Sequence, residues 1–239
     1  MLNGLYSAAS GMLAQQTRMD MLANDLANVD TTGYKQARIG FRDLIYNTEQ
    51  GMRIGAGSAI VDAGRNEAEG AFNATGDPLS LAIAGPGYFQ VSRADGSVAL
   101  TRSGDFTTDA NGEMVTQNGE RLVPPVRFPA GTDPDTISIG ADGTVKAGQT
   151  RIGKITVVTV TNTGGLTALG GNLFAATAAS GAPHAIAGSE LQQGYLESSN
   201  VDLAQTMVAL IDAQRSFEMD SRAIQNQDQM MQVANQIRQ

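Results

Sequence analysis

Leu5, Met12, Met19 and Leu26 recur at heptad spacing along residues 2 to 26, beside a second column of Leu2, Ala9, Gln16 and Ala23. One apolar column next to one small or polar column predicts a long amphipathic helix with a thin apolar seam. The other end of the chain repeats the pattern. Leu203, Leu210, Phe217, Ile224 and Met231 form the apolar column there, and Met207, Gln214, Ser221, Asp228 and Asn235 form the other. Ser198-Ser199-Asn200 offers an N-cap and Asp202 a favourable first-turn charge, so this second helix is predicted to run nearly to Gln239.

Between the helices the period changes to that of strands. Tyr88-Phe89-Gln90-Val91, Ser97 to Thr101, Glu113-Met114-Val115 and Ile152 to Val160 are rich in β-branched and aromatic residues. Asp95-Gly96, Asn111-Gly112, Asn118-Gly119 and Asp142-Gly143 supply the positive φ of tight hairpins, which predicts antiparallel sheets pairing sequential strands. The expected fold class is α+β, with long terminal helices pairing in a coiled-coil-like bundle around a mostly antiparallel β domain. The expected boundaries are 1–46 for the N-terminal helix segment, 47–79 for an irregular connection, 80–190 for the β domain and 191–239 for the C-terminal helix. Residues 162 to 189, poor in large apolar side chains, also read as irregular.

A seam holding Gln16 opposite Gln214, Ser221 and Asp228 is thin for a lone helical hairpin. Polar residues at core positions lower stability but fix register and partner number. The pattern fits either an intramolecular hairpin or two helices that wait for neighbouring subunits.

Charge and composition narrow the function. The net charge is −8 with no basic cluster, so a phosphate backbone or an anionic membrane surface has no electrostatic handle. Without Cys there are no thiol nucleophiles, disulfides or Cys metal sites. No run approaches the roughly 18 apolar residues that span a bilayer, and residues 1 to 17 carry no Lys or Arg, so no cleavable secretory signal is expected.

Candidate chemistry is sparse. The one His, His184, follows Pro183 in a Gly/Ala-rich stretch and reads as a surface imidazole. Asp109-Ala110-Asn111-Gly112-Glu113 alternates carboxylates as a calcium loop does, but Met114 stands where that loop needs Gly, so a hairpin turn is expected. Gly85-Pro86-Gly87 precedes a strand instead of opening a helix and lacks the context of a phosphate loop. No catalytic residues, cofactor or metal are expected.

Three blocks carry a resemblance. Ser7-Ala8-Ala9-Ser10-Gly11-Met12 leads into Ala23-Asn24-Asp25-Leu26-Ala27-Asn28-Val29-Asp30-Thr31-Thr32-Gly33-Tyr34-Lys35. The second block is Gly87-Tyr88-Phe89-Gln90-Val91 with Leu100-Thr101-Arg102-Ser103-Gly104-Asp105-Phe106. The third is Gly194-Tyr195-Leu196-Glu197-Ser198-Ser199-Asn200-Val201-Asp202 with Ala213-Gln214-Arg215-Ser216-Phe217-Glu218. In this order they closely resemble the bacterial flagellar rod and hook proteins, with Asn24, Leu26, Asn28, Gly33, Tyr34 and Lys35 as signature positions.

The resemblance implies a non-enzymatic building block of the flagellar axial structure, located in the basal-body rod across the periplasm. Its terminal helices would pack against those of other copies and of other rod and hook proteins, burying Leu5, Met12, Met19 and Leu26 against Leu210, Phe217, Ile224 and Met231. Family members leave the cell unfolded through the flagellar type III export apparatus without cleavage. Phe41 and Ile45, in Phe41-Arg42-Asp43-Leu44-Ile45, match the Phe-x-x-x-hydrophobic element read by the export gate; on periodicity alone the same residues could start an amphipathic helix. Hook proteins carry extra outer domains, so a chain with one β domain is similar to a rod subunit, most of all the distal type. Distal rod proteins often carry a Gln/Ser/Pro-rich insertion where Tyr46 to Gln50 runs almost directly into Gly51, which keeps the proximal type open. The competing classes are an oligomeric binding module, separable by whether assembly closes, and a hydrolase, for which no motif speaks.

Overall fold

A computed structural model of the chain describes residues 2–47, 53–186 and 188–237, excepting the side chains at 2–4, 46–47, 53–54, 56, 234–235 and 237. Leu2 and Asn235 of the two polar columns, and the Thr48 to Met52 stretch, therefore lie outside the described side chains. The chain forms two compact units. The first is Met1–Ala27, Ala37–Ala63 and Asp202–Gln239; the second is Asn28–Gln36 and Gly64–Val201.

The first unit holds α1 (Leu2–Ala27), β1 (Ala37–Asn47), most of β2 (Arg53–Arg65) and α2 (Leu203–Ile237), with β1 and β2 paired as a two-stranded ribbon. The helices pack antiparallel within the chain. A Cβ at Gly11 would stand 2.9 Å from Asp220 Oδ2, and Arg18 shares a shallow groove with Ala209 and Asp212, so rising numbers on α1 meet falling numbers on α2. All eight apolar-column residues expected to meet across the seam are half-buried. The deepest positions, however, are Ala14, Asp25, Thr206 and Ala213, while Gln16, Ala23, Met207, Gln214 and Asp228 of the second columns are exposed. A straight helix drifts about 20° per heptad from a strict seven-residue repeat, and small Ala14 and Ala213 let the backbones approach.

Two local expectations fail here. α2 is capped by Asp202, not by Ser198 to Asn200: Asp202 Oδ1 accepts the Gln205 N–H at 3.0 Å, and the Asp202 carbonyl accepts that of Thr206 at 2.9 Å. The expected irregular connection over 47–79 contains the long strand β2. Gly55, Ala56, Gly57, Ser58 and Ala59 give it no hydrophobic alternation in sequence; Gly57 lies where a Cβ would collide with Ser10 of α1, and Ser58 N–H donates to Ser10 Oγ at 3.2 Å.

The second unit is built of short strands: β3 (Phe72–Ala74), β4 (Leu81–Ala84), β5 (Tyr88–Ser92), β6 (Val98–Thr101), β7 (Phe106–Thr108), β8 (Met114–Thr116) and β9 (Arg121–Val123). They continue as β10 (Ile137–Ile139), β11 (Thr144–Ala147), β12 (Thr150–Lys154), β13 (Val157–Thr159), β14 (Thr167–Gly170), β15 (Leu173–Ala175), β16 (His184–Ala185), β17 (Glu190–Gln193) and β18 (Tyr195–Glu197). The main sheet runs β14-β15-β6-β5-β9-β8-β7, with β13 also on β5 and β16 on β13; the others pair as β10-β11-β12, β17-β4 and β18-β3. Every described pairing in this unit is antiparallel. Gly96, Gly112, Gly119 and Gly143 all take positive φ at the turns, as the dipeptides require.

Phe89, Leu81, Ile83, Val91, Met114, Leu122 and Val145 centre one core cluster, in which the Phe89 and Phe106 rings meet edge to face with centroids 5.1 Å apart. Tyr88, Leu100, Val158, Val160 and Phe174 form a second. Neighbours such as Tyr88 and Phe89 are therefore both buried, which erases alternation in the strands that matter most. The stretch 152 to 160 splits into β12 and β13 at buried Ile155, whose N–H donates to the Gly143 carbonyl at 2.8 Å. Residues 162 to 189, expected to be irregular, hold β14, β15 and β16; only Leu173 and Phe174 of these strands are buried. The segment from 191, expected to be helical, continues β17 and holds β18 before α2 begins.

Candidate functional site

The third residue of β18 carries a buried carboxylate at the centre of a charge cluster. Glu197 Oε1 accepts Lys35 Nζ at 2.7 Å and Gly70 N–H at 3.0 Å, and Oε2 accepts Arg102 Nε at 2.5 Å. Arg102 directs its other donors to the Gly87, Ile83 and Gly85 carbonyls at 2.5, 2.8 and 2.8 Å, and Lys35 adds the Ala68 carbonyl at 2.8 Å. Two cations and one anion are thus buried together and hydrogen-bonded on every side, the condition under which such a cluster is tolerated. Burial pushes the Glu197 carboxyl up, but the Arg102 guanidinium, the hydrogen bonds from Lys35 and Arg102 and the Gly70 N–H outweigh it and hold the group below its ordinary range.

Gly33 completes the arrangement. Its N–H donates to the Glu197 carbonyl at 2.7 Å, its φ is +66°, and a Cβ there would stand 2.6 Å from the Arg102 carbonyl carbon. No other residue type fits that approach. Tyr34 is buried beside it. Of the signature positions, Gly33, Tyr34 and Lys35 therefore gather at the charge cluster. Asn28 closes the turn before them, accepting Thr31 N–H and Thr31 Oγ1 at 3.1 Å each. Asn24, exposed, and Leu26, half-buried, belong to the last turn of α1 in the first unit.

The remaining candidate chemistry resolves into structure. Asp109 accepts the Asn111 and Glu113 N–H groups at 2.8 Å each inside the β7–β8 hairpin. Gly85 and Gly87 offer carbonyls to a guanidinium, the opposite of a phosphate cradle. His184 is exposed. Tyr88 donates to both Glu67 oxygens at 3.1 and 3.0 Å, and burial followed by the Glu67 charge pushes its hydroxyl well above the usual phenol range, so it stays neutral. Among the described residues no group of three His, Cys, Asp or Glu is placed to hold a metal ion, and no described helix is long and apolar enough to cross a membrane.

The helices of the first unit also leave apolar side chains in solvent. Tyr6 and Leu13 of α1 are 71% and 66% exposed, and Leu203, Met207, Val208 and Ile211 stand exposed on the first turns of α2. Tyr6 and Leu13 belong to neither heptad column expected from the sequence, although they too are seven apart, one position after Leu5 and Met12. Phe41 and Ile45 lie exposed on β1, a strand and not a helix start. Four residues apart, they face the same side, and Arg18 sits with its Cζ 6.0 Å from the Phe41 ring centroid.

Comparison with known proteins assigns the class. Three family profiles match in order along the chain: "Flagella basal body rod protein" over residues 5–35, "Flagellar hook protein FlgE/F/G D1 domain" over 82–147 and "Flagellar basal body rod FlgEFG protein C-terminal" over 192–237. The chain belongs to the flagellar rod and hook protein family. Within it, the chain is 38% identical to the flagellar basal-body rod protein FlgG of Borreliella burgdorferi, across 100% of this chain and 99% of that protein. It is 35% identical to FlgG of Bacillus subtilis across 97% of each chain. It is 33% identical to the rod protein FlgF of Caulobacter vibrioides across 94% of this chain and 93% of the other.

Proposed function

We propose that this protein is a structural, non-enzymatic subunit of the bacterial flagellar basal-body rod, of the distal type, which polymerises through its terminal helices into the shaft that carries torque to the hook. The observation that carries this reading is the end-to-end match to proteins named FlgG, at 38% and 35% identity against 33% for FlgF. The apolar side chains left in solvent on α1 and α2 support helix-mediated assembly, with Leu5, Met12, Met19, Leu26, Leu210, Phe217, Ile224 and Met231, all half-buried in the lone chain, completing their burial against neighbours. The partners are further copies and other rod and hook proteins. Exposed Phe41 and Ile45 support recognition by the type III export apparatus, which would deliver the chain to the basal body without a cleaved signal.

Heterologous contacts continue into a helical assembly, whereas a binding module closes. Electron microscopy across a concentration series should show tubes or fibres that lengthen as protein is added. A single closed oligomer at every concentration would overturn the rod reading in favour of a binding module.

A further inference from the structure

Four peptide junctions join the two units, at 27/28, 36/37, 63/64 and 201/202. Three of them start from segments of the second unit that one side chain ties together. Asn200 Oδ1 accepts the Gln36 N–H at 2.8 Å, and its Nδ2 donates to the Asn66 and Ala68 carbonyls at 2.7 and 2.8 Å. Its own N–H donates to the Tyr34 carbonyl at 3.3 Å, and Asn66 N–H donates to the Gln36 carbonyl at 2.8 Å. Arg65 Nη1 adds the Lys35 carbonyl at 3.2 Å. The segment that feeds β1, the one that leaves β2 and the one that feeds α2 are thus bonded to one another where each departs.

Three residues before Asn200, Glu197 binds the same segments a second time: Lys35 and Gly33 from the first, Gly70 from the second and Arg102 from the sheet. Asn200 spends its acceptor and both amide donors on backbone groups of two separate segments, neither adjacent to it in sequence. The arrangement has a mechanical meaning. Segments pulled one at a time peel, breaking one hydrogen bond after another; segments bonded together at their exits share the force and must give way together.

We propose that Asn200, backed by the Glu197 cluster, is a mechanical clamp that couples the three exits, so that force or torque entering through α2 or the β1–β2 ribbon reaches the β unit through all three at once. The mechanical role rests on the rod reading; the coupling does not, so the two fail separately.

Native-state hydrogen exchange on the full chain tests the coupling. Asn200→Ala should raise exchange at both Gln36 and Asn66 by about tenfold or more, while Phe89, Val91 and Leu122 in the core stay protected. Gln36 loses its acceptor directly, but Asn66 does not. Faster exchange at Gln36 alone, or at neither, overturns the clamp. Should Asn200→Ala not fold, Asn200→Ser, which keeps a short hydroxyl, is measured in its place under the same criterion. Optical-tweezer pulling between handles on α2 and on the exposed β14 edge tests the response to force. The wild type should yield in one high-force event and the variant in several weaker steps. Equal force profiles overturn the mechanical role even if the exchange result is as expected.

Discussion

Arg102 Nε meets Glu197 Oε2 at 2.5 Å with neither side chain more than 3% exposed. Because Glu197 titrates lower in the folded chain than in the unfolded one, its contribution to stability is fully present above the unfolded pKa and is lost as pH falls through the folded value. Melting of the β unit should therefore lose this contribution in acid, over a window that begins at the ordinary glutamate range and extends below it. Glu197→Gln should flatten that acid limb. It should also cost about 3–5 kcal/mol at neutral pH, because Lys35 and Arg102 stay buried without a counter-charge. Calorimetric melts of both proteins between about pH 7 and pH 3 check this. Parallel acid limbs would remove Glu197 from the acid response.

Gly33→Ala separates backbone strain from collision. The left-handed conformation alone costs an alanine about 1–2 kcal/mol, and at Gly76, with φ +74° and nothing within 4 Å of where a Cβ would stand, that is all a substitution should cost. At Gly33 the added carbon also meets the Arg102–Ser103 peptide at 2.6 Å. Urea unfolding should show a larger loss for Gly33→Ala than for Gly76→Ala, the difference being about 1–3 kcal/mol. Equal losses would mean that the approach at Gly33 relaxes freely.

Legibility in the sequence followed the range of each interaction. Hairpins were readable because Asp95-Gly96 or Asn118-Gly119 sets a turn within a few residues, and the terminal helices because heptad spacing is local. The charge cluster was not, although Lys35, Arg102 and Glu197 all lie in the family blocks: Glu197 is 162 and 95 positions from its two partners, and no periodicity connects them. β2 was hidden because a strand of Gly, Ala and Ser has no alternation to read. Asp202 takes the helix cap, while Asn200, as good a capping residue by type, is occupied with Gln36, Asn66 and Ala68. Propensity cannot show that a side chain is already engaged elsewhere.

Phe41→Ala should lower the amount of protein exported while leaving both units folded. Phe41 is 48% exposed, so its truncation removes little core. The contact with Arg18 is worth about 0.5–1 kcal/mol at such a site. Immunoblots of culture medium against cell pellets, with thermal melts of the purified variant as the folding control, measure the effect. Export at the wild-type level would detach Phe41 and Ile45 from gate recognition.

Phe217→Asp should abolish assembly without melting the β unit. Phe217 lies mid-column between Leu210 and Ile224, half-buried in the lone chain, which leaves ring surface for a neighbouring subunit to cover. Truncating an aromatic anchor at an interface typically costs about 2 kcal/mol or more, and a carboxylate buried there without a partner adds several more. Every subunit in a repeating lattice meets that penalty, so elongation should fail instead of slowing. Because Phe217 is already half-buried within the lone chain, Tyr6→Asp is the cleaner companion: at 71% exposure it disturbs little within the chain, so a loss of assembly reports on contact between subunits. Gln214→Ala, at an exposed polar position of α2, should be mild. Filament formation by electron microscopy and motility of complemented cells read all three, with circular dichroism melting of the β unit alongside. Normal assembly of both acidic variants would end the interface reading, and so would a Phe217→Asp protein whose β unit melts early, since α2 would then belong to that core.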